Sequence, residues 1–314
     1  MAHALFLLAV GLTVLVIGGR FVVDAASVVG TRLGLSPGLV GLTIVAAGTS
    51  APELAVVLQA LARDDEELAI GSIVGSNIAN VWLVLGLASI IGVVTVGRRA
   101  ARVDLPVLVG ASVLTFLLAG DGTISQLDGV VLVSALLVFV SWSIRSGGLD
   151  ELDDGRRPVS AGRLVRALVE LVGGLVLLVV AARWAVRGAE EIARALGVSE
   201  LVVGLTVLAI GTSLPEIITT IVAAVRGSSE MALGNAVGSN IFNLLLVLGV
   251  AGIVSGTGAA VSEDVARRAI PVMVGAAVLL AGIAITWRRV GRGSGLVLVG
   301  LYMGYLGALV GIEQ

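Results

Sequence analysis

Two glutamates in this sequence sit in the same local surroundings. Glu53 closes the run Gly48-Thr49-Ser50-Ala51-Pro52-Glu53, and Glu216 closes Gly211-Thr212-Ser213-Leu214-Pro215-Glu216. Downstream of each lies a second run, Gly75-Ser76-Asn77-Ile78-Ala79-Asn80 and Gly238-Ser239-Asn240-Ile241-Phe242-Asn243. Ser76 with Asn80, and Ser239 with Asn243, are four residues apart, so on a helix each pair shares one face. The two carboxylates, these four amide or hydroxyl groups and the Thr-Ser hydroxyls form a set of hard oxygen donors. Such a cage suits Ca²⁺, which takes about six to eight oxygens, and also Na⁺; it does not suit zinc or copper.

The same motif shapes the backbone around the carboxylates. Gly48-Thr49-Ser50 weakens a helix, and Pro52 has no amide to offer the carbonyl of Gly48, as Pro215 has none for Gly211. A helix is expected to break at each proline, with Ser50 or Ser213 capping the half-helix that restarts. Inside a bilayer such breaks are tolerated only where the backbone is buried in protein or lines a polar cavity. A carboxylate at that depth is costly unless it is paired with a cation or protonated. Gly, Ser and Ala alone would be explained by close helix packing, but two duplicated glutamates beside two duplicated prolines would not.

The rest of the chain supplies the membrane. Of 314 residues, 57% are hydrophobic and only 13% charged, with mean hydropathy +1.09, a balance that only a bilayer solvates. The reading is an all-α integral membrane protein of about ten spans, near 3–29, 37–63, 68–92, 103–120, 125–144, 163–193, 200–226, 231–255, 265–287 and 294–311. The first stretch is read as a membrane helix, since Met1-Ala2-His3 supplies little charge for a signal peptide. A polar linker, 145–162, separates an N-terminal half, 1–144, from a C-terminal half, 163–314. One side of the membrane receives Arg98, Arg99, Arg102, Arg145, Arg288, Arg289, Arg292 and others; the opposite side receives only Arg63, Arg194, Arg267 and Arg268. By the positive-inside rule the linker is cytoplasmic and both termini face outward, in a plasma (inner) membrane.

The halves repeat one another. Gly41 to Glu53 is answered by Gly204 to Glu216, an offset of 216 − 53 = 163 that holds through the second run, so that segments 41–87 and 204–250 correspond. An offset of five helices is odd and inserts the second copy upside down. Inverted repeats of this kind place the binding site at their interface near the midplane.

At these residues the sequence resembles the cation/calcium antiporter superfamily, closest to the prokaryotic sodium/calcium exchangers. Gly-Thr-Ser-x-Pro-Glu and Gly-Ser-Asn-Ile-x-Asn are the signature of its paired alpha repeats. The resemblance implies that Glu53 and Glu216 are the central ligands for Ca²⁺ and Na⁺, assisted by Thr49, Ser50, Thr212 and Ser213. It implies that Ser76, Asn80, Ser239 and Asn243 finish the cage, and that the backbone carbonyls of Ala46 and Ala209 complete outer sodium sites. Some relatives, including potassium-dependent exchangers, carry aspartate where this chain has Asn243, which argues against potassium coupling.

These expectations amount to a secondary antiporter that exchanges Na⁺ for Ca²⁺ and exports Ca²⁺. Alternating access would come from sliding the first and sixth helices across the other eight. A proton/calcium antiporter uses the same fold, with two protons on the glutamates, and a cation channel is a further alternative. No nucleophile-base pair, phosphate loop or cysteine is present, and the single His3 is N-terminal, so an enzyme reading has no chemistry to stand on. No cofactor, nucleic acid or obligatory protein partner is expected beyond the ions and the bilayer. Arg20, Arg183 and Glu170 read as snorkelling side chains. The acidic linker fails the EF-hand pattern at Leu152 and Ala161, and Arg63 to Glu67 reads as a solvated turn.

Overall fold

A computed structural model describes residues 1–147, 159–196 and 209–312. The expected acidic run at 150–154 and the start of the seventh span, including Gly204, lie outside these residues. The helices are α1 (Ala2–Leu33), α2 (Pro37–Leu61), α3 (Glu66–Ile91), α4 (Ala100–Asp121), α5 (Gln126–Gly147) and α6 (Ala161–Ala195). After them come α7, described as Ala209–Thr212 and Leu214–Val225, then α8 (Ser229–Val254), α9 (Val265–Trp287) and α10 (Arg292–Ile312). Among the described residues, eight helices are long and apolar enough to cross a membrane. Their outer faces carry exposed Leu5, Val138 and Val169, side chains that are at home in lipid rather than water.

Packing follows the inverted relation of the halves. α5 lies on α8 as α10 lies on α3, and α4 packs on α9. Two short strand pairs seal the ends: Val94–Thr95 (β1) pairs with Arg289–Val290 (β4), and Thr123–Ile124 (β2) pairs with Ala259–Ala260 (β3). Exchanging the halves turns the first pairing into the second. α1 and α6 form a long antiparallel pair with little side-chain bulk between them. A Cβ on Gly11 would fall 2.6 Å from the Ala185 amide, and one on Gly188 would fall 2.6 Å from the Ala4 carbonyl. In lipid, where apolar surface gains nothing by leaving its neighbours, such close backbone packing is what holds helices together.

α3 and α8 are the most enclosed of the spans. The front half of α2 runs against α8, and α7 packs on α3, so each broken helix meets the central helix of the other half.

Candidate ion site

α2 breaks at Ser50 and α7 at Ser213. Each serine has similar backbone angles, φ −82° and ψ −1° in one and φ −88° and ψ 3° in the other. The helices restart at Ala51 and Leu214 with Pro52 and Pro215 in the first turn, as the missing proline amides require. The expected serine caps do not form: neither side chain bonds to the restarted helix. The interruption is a one-residue hitch with near-helical angles rather than the extended conformation a capping serine needs. Both Oγ atoms are left buried and without a hydrogen-bond partner.

A second device opens the backbone in the facing helices. Asn80 begins a π-turn, Asn80–Val84, and Asn243 begins its counterpart, Asn243–Val247. The widened turn adds a residue to the ring and is a recurrent feature of functional sites. A further π-turn, Gly41–Val45, precedes the break in α2.

The expected side chains converge in the middle of the molecule. Glu53 is 3% exposed and Glu216 0%, and the two lie close enough to interact electrostatically. Thr49, Ser50, Ser76, Asn80, Ser213, Ser239 and Asn243 are all buried, and Thr212 is half-buried. All four glutamate oxygens lack hydrogen-bond partners, as do both amide atoms of Asn80 and of Asn243. Buried polar atoms are nearly always paired, so a cluster of orphans marks a missing partner. Here most of the orphans are oxygens, four of them from the two glutamate carboxyl groups, a donor set that fits a hard cation. Thr49 Oγ1 lies 3.4 Å from Ser239 Oγ, joining the two halves across the site. The Ala46 carbonyl accepts from the Ser50 amide at 2.9 Å and faces the Thr49 hydroxyl at 3.4 Å. Ala209 opens the described part of α7.

Three polar residues that the repeat search passed over complete the arrangement. Asn235 donates to Thr219 Oγ1 at 3.0 Å and to Thr220 Oγ1 at 2.8 Å, while its Oδ1 accepts from Thr49 Oγ1 at 3.4 Å. Their counterparts 163 residues earlier are Val56, Val57 and Ser72, so this brace exists in one half only. The signal lies in the sequence as a difference between the repeats, not as an identity. Asn77 and Asn240 each keep an unpartnered buried oxygen as well.

The weaker candidates fall outside. Arg20 and Arg183 are exposed, and Glu170 pairs with Arg166 at 2.7 Å on the surface of α6. Asp65 caps α3 through the Leu68 amide, and Glu66 accepts from the Ala260 amide, which accounts for the acidic turn structurally. His3 is exposed near Glu191.

The model of one protein family, described as sodium/calcium exchanger protein, matches residues 3–145 and 166–311. The chain belongs to the sodium/calcium exchanger family. It is 34% identical to a putative antiporter, CaxA, of Alkalimonas amylolytica over 94% of this chain and 95% of that one. It is also 34% identical to the inner membrane protein YrbG of Escherichia coli, over 98% and 97%. A solved structure of the sodium-calcium exchanger NCX_Mj, soaked with Na⁺, superposes with a TM-score of 0.85 at 29% identity, covering 98% and 99% of the two chains. The protein is therefore a multi-pass membrane cation/Ca²⁺ exchanger built of inverted repeats. Like its family, it transports ions without a cofactor and is not an enzyme.

Proposed function

We propose that the coupling ion is Na⁺ and that the exchanger exports Ca²⁺ through the Glu53–Glu216 cage. The observation that carries this reading is the set of buried oxygens left without partners around two carboxylates. Glu53 and Glu216 are the central ligands, Thr49, Ser50, Thr212 and Ser213 flank them, and Ser76, Asn80, Ser239 and Asn243 close the cage. The carbonyls of Ala46 and Ala209 serve outer Na⁺ sites. The cage is shared by halves 1–144 and 163–314, in a plasma (inner) membrane with both termini outside and the 145–162 linker in the cytoplasm. The arginine distribution supports that orientation.

Charge explains why ions exchange rather than leak. With both glutamates ionised the empty site carries two negative charges, one Ca²⁺ neutralises it, and three Na⁺ leave it with one positive charge. Two uncompensated carboxylates in a low-dielectric passage are costly to move, so only loaded forms cross. ⁴⁵Ca²⁺ uptake into Na⁺-loaded proteoliposomes, against K⁺-loaded controls and Glu53→Gln, tests the reading. Uptake that needs internal Na⁺ and vanishes in the variant supports it. Uptake driven only by an imposed pH gradient replaces Na⁺ with protons, and Ca²⁺ flux without a counter-ion removes the exchange mechanism.

A further inference from the structure

Away from the ion cage, a cavity of about 610 Å³ opens between the start of α2, the Gly97–Asp104 segment, the end of α5 and the first turns of α8. Its inner wall is the α2–α8 contact, where a Cβ on Gly234 would strike the Gly38 carbonyl at 2.2 Å and one on Gly238 the Leu42 carbonyl at 2.4 Å. No side chain fits between these backbones, so α2 and α8 close the inner side of the cavity.

Arg98, Arg99 and Arg102 line this cavity against Asp104 and Glu230, which leaves one more positive charge than negative. The Arg99 guanidinium sits 5.5 Å over the Trp142 ring, and its Nε lies 3.5 Å from Asp104 Oδ1. The ring and the carboxylate hold the guanidinium in place, yet Nη2 is buried without a hydrogen-bond partner. Asp104 is itself buried, at 6% exposure, so its ion pair with Arg99 is shielded from solvent. A fixed, planar, half-buried guanidinium with an unpartnered Nη2 and a second and third arginine beside it is a geometry that suits phosphate oxygens. The outer wall belongs to the lipid: Trp142, which lines the cavity, and Val138, four residues earlier on the same face of α5, are exposed apolar side chains.

We propose that this cavity binds a phosphate anion, supplied by the headgroup of an anionic phospholipid whose chains lie along α5. Basic pockets between membrane helices take such headgroups. The binding is independent of the transported ions and steadies α4, α5 and α8 against one another.

The test uses the full-length exchanger, delipidated in mild detergent with EDTA present so that Ca²⁺ does not bridge lipid to protein. Melting temperature and lipid retained in native mass spectrometry are followed with phosphatidylglycerol, cardiolipin, phosphatidylcholine and inorganic phosphate. Wild type is compared with Arg99→Gln and with the double variant Arg98→Gln/Arg102→Gln, which leaves the Arg99–Asp104 pair intact should the first variant fold poorly. Each arginine removed is expected to weaken retention of the anionic lipids about fivefold, with phosphatidylcholine unaffected. A shift produced by inorganic phosphate and lost in the variants supports the anion site but assigns it a soluble source. Equal response of wild type and the double variant to every anion, or an equal response to phosphatidylcholine, overturns the proposal.

Discussion

The hydroxyl of Thr49, from the broken helix of the first half, meets the side-chain oxygen of Asn235, from the central helix of the second, at 3.4 Å. Donating its proton there leaves the Thr49 oxygen lone pairs directed elsewhere, and in the proposed cage they face the ion. Asn235 is fixed in turn by Thr219 and Thr220, so it positions Thr49, a ligand of the proposed cage, from the opposite repeat. Asn235→Leu removes the amide that donates to both threonine oxygens, while Thr219 keeps its own bond to the Pro215 carbonyl, and it frees Thr49 to rotate, at a cost of about 1–3 kcal/mol. The half-saturating Ca²⁺ concentration for transport is expected to rise about tenfold, more than for Thr219→Val. A Ca²⁺ titration of uptake in proteoliposomes checks this, and an unchanged half-saturation would remove Asn235 from the site.

The buried carboxylates also tie stability to ions. A cation that binds only the folded cage stabilises it by about 2.7 kcal/mol at a concentration one hundred times its dissociation constant. Wild-type protein is therefore expected to melt at a markedly higher temperature in Ca²⁺ than in an ion-free, choline-based buffer. Glu53→Gln and Glu216→Gln each remove one charge from the empty site, so the variants should be at least as stable as wild type without ions and gain little from Ca²⁺. Scanning fluorimetry in the two buffers measures both effects; a Ca²⁺ response preserved in both variants would place the ion elsewhere.

The approach of α2 to α8 leaves no room for a methyl group. A Cβ on Gly41 would lie 2.3 Å from the Met231 carbonyl, and one on Gly238 would lie 2.4 Å from the Leu42 carbonyl and 2.8 Å from Ala46 Cβ. Backbone atoms cannot swing aside as a side chain would, so Gly238→Ala must push the helices apart and carry Ser239 away from Thr49. Overpacking of this kind costs about 1–3 kcal/mol. Transport is expected to fall severalfold together with the melting temperature, whereas Gly300→Ala on α10, which meets nothing within 4 Å among the described residues, is expected to leave both unchanged.

What was legible in the sequence and what was not divides along physical lines. Pro52 and Pro215 announce their breaks because a missing amide is a covalent fact, and Glu53 and Glu216 announce a site because a charge in lipid needs a partner. Span positions follow from hydropathy to within a few residues, as α9 at Val265–Trp287 illustrates. Ser50 and Ser213 do not cap, because capping depends on whether the chain turns extended before the proline, which composition does not encode. The π-turns at Asn80 and Asn243 and the β1–β4 and β2–β3 closures arise from packing between halves. The Asn235 brace was hidden because an inverted repeat draws the eye to what the halves share, while a site that binds unlike ions gains from what they do not.

A difference of that kind also separates the two faces of the molecule. Arg226, just after α7, forms an ion pair with Asp24 of α1, joining the long α1–α6 pair to the broken helix α7. The residues 163 positions away are Arg63 and Arg187, two like charges, so the same latch is not available in the inverted arrangement. An ion pair with both partners partly exposed, as here, contributes about 0–1 kcal/mol. That is enough to change the balance of two access states by up to about fivefold. Asp24→Asn is therefore expected to shift half-saturation for Ca²⁺ in opposite directions in right-side-out and inside-out vesicles. The charge swap Asp24→Arg with Arg226→Asp restores both values. Equal shifts on the two sides, or a swap that fails to rescue, would show that the pair steadies the fold without biasing access.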